Sequence, residues 1–91
     1  MKHIVITGAS SGIGRTTANL LLEKGHKVSL LSRSIEKLIA EFDSANASLI
    51  QCDVKDYNSV QNAIVKAIDA QGPIDVLINN AGLGVFDKFA E

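Results

Sequence analysis

Four short apolar runs alternate with three stretches of helical spacing, and this order constrains the fold more than any other feature of the sequence. The runs are His3–Thr7, Lys27–Ser32, 48–52 and 75–79. After the first run, three glycines open a helical stretch to Lys24, with Ile13, Thr17, Leu20 and Leu21 on one face and Gly25 placed to end it. Ser34 can N-cap a second helix with Ile35, Leu38, Ile39 and Phe42 facing inward. Asp56 can cap a third, carrying Val60, Ala63, Ile64, Ala67 and Ile68 at three-and-four spacing until Gly72-Pro73 breaks it. Strands that alternate with helices predict an α/β fold built on a parallel, doubly wound sheet. Right-handed crossovers with strand order 3-2-1-4 put the first two helices on one face and the third on the other.

The unalternated triplet Val76-Leu77-Ile78 fits a strand covered on both faces. In the order 3-2-1-4 its outer edge has no neighbour, and an apolar edge is normally covered. The expectation is therefore the first part of one domain, with residues 1–91 supplying four strands and three helices of an incomplete sheet.

Composition narrows the function. With 46% hydrophobic and 21% charged residues, the chain reads as globular rather than disordered. Nine Lys and Arg against ten Asp and Glu give a net charge of −1, which offers no electrostatic footprint for nucleic acid or an anionic membrane. Apolar runs no longer than triplets fall far short of the ~20 residues of a membrane helix. The apolar start reaches Thr7-Gly8 before a secretory signal's ~7–15-residue core can form. A single cysteine, Cys52, excludes an internal disulfide and fits a reducing compartment, so a cytoplasmic location is expected.

The chemistry concentrates in Thr7-Gly8-Ala9-Ser10-Ser11-Gly12-Ile13-Gly14, between the first strand and the first helix. Phosphate recognition needs backbone N–H donors, approach without Cβ atoms, and the positive end of a helix dipole. Gly8 lets the chain turn off the strand, Gly12 lets the backbone approach a pyrophosphate, and Gly14 lets the helix pack closely. The Ser10 and Ser11 hydroxyls can bond phosphate or ribose. A P-loop is excluded, because Ile13 stands where the next glycine and lysine would begin. Binders of mononucleotides, dinucleotides and S-adenosylmethionine stay open on these grounds alone.

Three motifs carry a resemblance. Thr-Gly-x-x-x-Gly-Ile-Gly at residues 7–14, Asp53-Val54 after the third strand, and Asn79-Asn80-Ala81-Gly82 after the fourth are similar, in order and spacing, to the signatures of the short-chain dehydrogenase/reductase superfamily. The resemblance covers essentially the whole chain and implies a Rossmann-type fold that binds a nicotinamide dinucleotide. In NAD-specific members a carboxylate ends the second strand and accepts from the ribose hydroxyls. Here Ser32 holds that position, eighteen residues beyond Gly14, and Arg33 follows. A guanidinium can pair with a ribose 2′-phosphate, so NADP(H) is expected over NAD(H), by roughly 10–150-fold for one charge-assisted contact. The other basic marker of NADP-binding members, just before the middle glycine of the turn, is absent: Ser11 stands there.

The resemblance further implies that the Asp53 carboxylate accepts from the adenine amino group and that the Val54 N–H reaches the ring. On the residues alone, Asp53 could instead simply cap the following turn. Asn80, Ala81 and Gly82 are expected to line the cofactor cleft, with Ile13 at the helix start, while Asn79 is expected to brace the sheet.

The family's active site uses a tyrosine, a lysine four residues later, and an upstream serine. The one tyrosine here, Tyr57, has Gln61 at that distance, so no catalytic residue is expected within the chain. No metal site is expected either, with His3 and His26 far apart in sequence and no Cys or carboxylate clustered beside them. The implied activity is hydride transfer between nicotinamide and the carbonyl or secondary alcohol of a small-molecule substrate. The alternative is a complete, non-catalytic nucleotide-binding or interaction module, with the fourth strand's edge as a pairing surface for a second copy.

Overall fold

The computed structural model describes residues 1–8 and 12–79. Its elements follow the expected order: β1 (His3–Thr7), α1 (Gly12–Glu23), β2 (Lys27–Ser32), α2 (Ile35–Glu41), β3 (Ala47–Gln51), α3 (Tyr57–Gln71) and β4 (Val76–Asn79). All pairings are parallel and the sheet order is β3-β2-β1-β4. This is the doubly wound Rossmann arrangement, with the reversal of strand order between β1 and β4.

Strand alternation divides the sheet's apolar residues between two cores. Ile4 and Ile6 of β1, Val28 and Leu30 of β2, and Leu49 of β3 pack with Ala18 of α1 and Leu38 of α2, closed by Phe42. Val5, Leu31 and Ile50 face the opposite way, against Val60, Ala63 and Ala67 of α3. Each strand therefore contributes to both layers, which accounts for the β-branched and leucine-rich runs of the sequence. β1, between two neighbours, is buried at every residue. β4 pairs only with β1 among the described residues, and Val76 stays 40% exposed. The expectation of a strand covered on both faces is thus only partly met at β4.

The helices dock differently from the pattern read off their largest residues. In α1 the inward stripe is Gly14 and Ala18, flanked by Leu21 and Leu22. Ile13 is 76% exposed, and Leu20 is also exposed. Small residues let the helix axis approach the sheet, so the bulkier neighbours rotate outward. Leu38 of α2 and Phe42 at its C-cap are buried while Ile39 is exposed, and in α3 Ile68 is exposed. The third strand begins at Ala47 and ends at Gln51, one residue earlier than the apolar run indicates.

Local signals set the helix ends. The Asp56 carboxylate accepts from the backbone N–H groups of Asn58 and Ser59, capping α3. Gly25, at φ 85°, ends α1, where its N–H donates to Leu22 and that of His26 to Leu21. That pair of bonds is a Schellman closure. Ser34 precedes α2 but makes no side-chain cap; its N–H donates instead to the Ser32 hydroxyl. Among the described residues, no helix is long and apolar enough to cross a membrane.

Candidate functional site

The carboxyl ends of β1, β2 and β3 converge on one side of the sheet, beside the reversal of strand order. Ligands of open α/β sheets bind at such a crevice, because the reversal parts the loops on its two sides. Thr7, the last residue of β1, donates from its hydroxyl to Asn79 Oδ1 at 3.0 Å, joining the ends of β1 and β4. Asn79 therefore braces the sheet across the reversal. Gly8 turns away at φ 68°, a conformation that side chains with a Cβ resist, and its N–H donates to the Leu31 carbonyl at 3.1 Å. That bond ties the start of the glycine turn to the end of β2.

A cavity of about 460 Å³ opens here. Its walls are Gly8 from the turn, Leu31, Ser32 and Arg33 from the end of β2, and Cys52, Asp53 and Val54 following β3. Its size falls within the range of about 300–1,000 Å³ found for small-molecule sites. Of the residues singled out in the sequence, the structure brings together Gly8, Ser32, Arg33, Asp53 and Val54. Gly12 and Ile13 line a separate shallow hollow with Thr16 and Thr17. Gly14 is buried on the inner face of α1. Ser10, Ser11, Asn80, Ala81 and Gly82 lie outside the described residues. Ser34, Lys37 and Lys55 also line the cavity and were not anticipated.

The wall residues are held by a compact set of bonds. The N–H of Cys52 donates to the Ser32 carbonyl at 2.9 Å, continuing the β2–β3 ladder beyond the strands. Ser32 Oγ accepts from the Ser34 N–H, which bends the chain into α2 and leaves Arg33 exposed at the corner. The Arg33 carbonyl accepts from Gln51 Nε2. Across the cavity, the Asp53 N–H donates to Ser59 Oγ and its Oδ1 accepts from the Lys55 N–H, both at 3.0 Å. Asp53 thus caps its own turn with one carboxylate oxygen. A carboxylate has two oxygens, so this use is compatible with a ligand contact at the other.

Cys52 is buried beside this wall, and burial pushes its thiol above the ordinary value of 9.0. A hydrogen bond with Ser59 acts in the opposite direction, and the nearby charges of Asp53 and Asp56 add to the rise. A thiol held protonated is an inert packing group rather than a nucleophile. Tyr57 opens α3, is exposed, and does not line the cavity.

Val54, the Asp53 carboxylate and the Arg33 guanidinium line this one hollow. Among the described residues, and apart from the neighbours and backbone of its own helix, no atom lies within 4 Å of where a Cβ on Gly12 would stand.

Comparison with known proteins agrees. The short chain dehydrogenase family model matches residues 2–91. The 3-dehydrosphinganine reductase TSC10B of Arabidopsis thaliana is 44% identical over 88 residues, covering 90% of this chain and 25% of that protein. The human 15-hydroxyprostaglandin dehydrogenase [NAD(+)] is 38% identical over 89 residues, covering 90% of this chain and 34% of that protein. The chain thus spans about a quarter to a third of the length of these curated relatives. Among solved structures, the C-domain, with NADP, of a bacterial malonyl-CoA reductase superposes with a TM-score of 0.81 at 32% identity, covering 90% of this chain and 15% of that one. A family match over residues 2–91, on a fold that solved members share, makes this chain a member of the short-chain dehydrogenase family of oxidoreductases.

Proposed function

We propose that the chain carries the NADP(H)-binding portion of an oxidoreductase that moves hydride between nicotinamide and a carbonyl or secondary alcohol. NADP(H), when bound, supplies or accepts the hydride. The chain's own residues bind and orient it. The observation that carries the cofactor choice is the corner after β2, where Arg33 lines the cavity beside Ser32 and, among the described residues, the only carboxylate in the lining is Asp53, on the opposite wall. A carboxylate at the Ser32 position would repel a 2′-phosphate, whereas a guanidinium attracts it and can stack on adenine. The relatives' names point both ways, to NAD(+) for the prostaglandin dehydrogenase and to NADP for the malonyl-CoA reductase domain. The discrimination therefore rests on this chain's residues.

In this reading Gly8, Gly12, Ile13 and Gly14 belong to the turn and helix start that take the pyrophosphate, and the Ser10 and Ser11 hydroxyls bond phosphate or ribose. Asp53 accepts from the adenine amino group, and the Val54 N–H meets the ring. Asn80, Ala81 and Gly82 are assigned to the lining of the cofactor cleft. No residue of the chain is assigned as the proton donor, since Tyr57 has Gln61 rather than lysine four positions on and lies outside the cavity.

The test is a titration of NADPH and NADH against the chain and its Arg33→Ala variant. NADPH binding is expected to weaken about tenfold or more, with NADH within twofold. Equal losses for both cofactors would show that Arg33 acts through folding or adenine stacking and would defeat the assignment.

A further inference from the structure

The wall that Asp53 and Val54 give the cavity is fastened by a group outside it. Ser59 stands in the first turn of α3 and is not among the cavity's lining residues. Its hydroxyl accepts from the Asp53 N–H at 3.0 Å and also bonds the thiol of buried Cys52. The Cys52 N–H in turn donates to the Ser32 carbonyl at the end of β2. One half-buried hydroxyl therefore joins the start of α3 to the ends of β2 and β3.

Asp53 makes two further bonds. Its carbonyl accepts from the Asp56 N–H and its Oδ1 from the Lys55 N–H, both at 3.0 Å. Those two bonds close within the turn, whereas the bond to Ser59 is the one that anchors the turn to a helix. Together they fix the torsions of Asp53 and leave Oδ2 as the carboxylate oxygen without a bond among the described residues. A carboxylate held in one place discriminates by geometry. It accepts a charge-assisted hydrogen bond from an exocyclic amino group and repels an acceptor oxygen in the same position. A carboxylate on a loose turn swings toward water and treats the two alike.

We propose that Ser59 is a positioning residue for base selectivity: by holding the Asp53 N–H, it keeps the Asp53 carboxylate where it distinguishes a 6-aminopurine from a 6-oxopurine. This rests on the cofactor reading above, in which Asp53 accepts from the adenine amino group, and adds the group that keeps Asp53 in place. The side chain's role is separable from the residue's part in the helix. The Ser59 N–H that the Asp56 carboxylate caps belongs to the backbone and stays when the hydroxyl is removed. Alanine also favours helix, so Ser59→Ala preserves α3 while releasing the turn.

The probes are NADPH and its hypoxanthine counterpart, which carries oxygen in place of the purine's 6-amino group and is otherwise the same molecule. Both are titrated calorimetrically against the chain, with circular dichroism melts confirming that every variant folds. The unaltered chain should prefer NADPH by about tenfold or more, and Asp53→Asn should collapse that preference. Ser59→Ala should reduce the preference about 3–10-fold, whereas Ser59→Thr, which keeps the hydroxyl, should retain it within about twofold. A merely structural role would weaken both ligands alike and leave their ratio unchanged. If Ser59→Ala leaves the ratio unchanged while Asp53→Asn collapses it, this proposal falls and the cofactor reading stands. An equal loss of preference in Ser59→Thr would also overturn it, because the hydroxyl would not be the acting group. If the unaltered chain binds neither probe, shows no preference, or keeps its preference in Asp53→Asn, the reading of Asp53 as the adenine contact falls and takes this proposal with it.

Discussion

His3 is buried on the α3 face of the sheet, 3% exposed, and both of its ring nitrogens are engaged. Nδ1 lies 2.9 Å from the Gly72 carbonyl, which can only accept, so Nδ1 carries a proton. Nε2 lies 2.7 Å from Ser29 Oγ, itself fully buried, and in the neutral ring it accepts that hydroxyl's proton. The backbone completes the node: the His3 N–H donates to Asp75 Oδ2 at 2.8 Å, and the Asp75 N–H to the His3 carbonyl at 2.9 Å. These bonds fasten the α3–β4 turn to β1 and β2 at the sheet end opposite the cavity. His3→Leu would break two side-chain hydrogen bonds, each worth about 1 kcal/mol, and strand the Ser29 hydroxyl at about 1–3 kcal/mol. The sum is roughly 3–5 kcal/mol, a large share of the ~5–15 kcal/mol that typically holds a domain together. Ser29→Ala should cost about 1–2 kcal/mol, because it leaves Nε2 without a donor.

The decisive quantity is the double variant. Removing both partners leaves no stranded group between them, so His3→Leu/Ser29→Ala should be more stable than the sum of the single losses by about 1–2 kcal/mol. Urea unfolding followed by circular dichroism measures all four corners of the cycle. His3→Gln, which keeps a donor and an acceptor, provides a milder replacement should His3→Leu fail to fold. Additive losses within about 0.5 kcal/mol would refute the reasoning, since uncoupled residues behave in that way.

Two further outcomes follow from the site. Gly8→Ala should destabilise the chain by about 1–2 kcal/mol, because a Cβ at φ 68° meets the neighbouring carbonyl; an unchanged melting temperature would show that the turn relaxes without strain. The Cys52 thiol, raised above its ordinary value by burial, should resist a thiol reagent at pH 8 until the chain unfolds. Since the folded value exceeds the unfolded one, its stabilisation is complete below about 9 and is lost as the pH rises through the folded value. Cys52→Ala should flatten the alkaline fall in stability, and an identical fall in that variant would assign it elsewhere.

What sequence alone determined is what short-range chemistry controls. The alternation of apolar runs with helical spacing requires parallel pairing, because each crossover returns the chain to the same end of the sheet. The Asp56 cap and the Gly25 closure are contacts within a few residues, so they are legible without knowing where the helices dock. The Gly8 turn and the Ser32-Arg33 corner could be named because they sit at strand ends that the pattern locates. Only the tertiary structure decided how each helix is rotated about its axis. Docking through Gly14 and Ala18 shortens the distance between helix and sheet and turns Ile13 and Leu20 to solvent, although a scale of side-chain size ranks those two first. Likewise, nothing local joins His3 to Ser29 and Gly72. Arg33 and Lys37 are only four positions apart along the chain, but Lys55 lines the same cavity because β3 pairs beside β2. A site formed at the ends of parallel strands gathers residues whose separation along the chain is the length of a crossover, and periodicity carries no information at that distance.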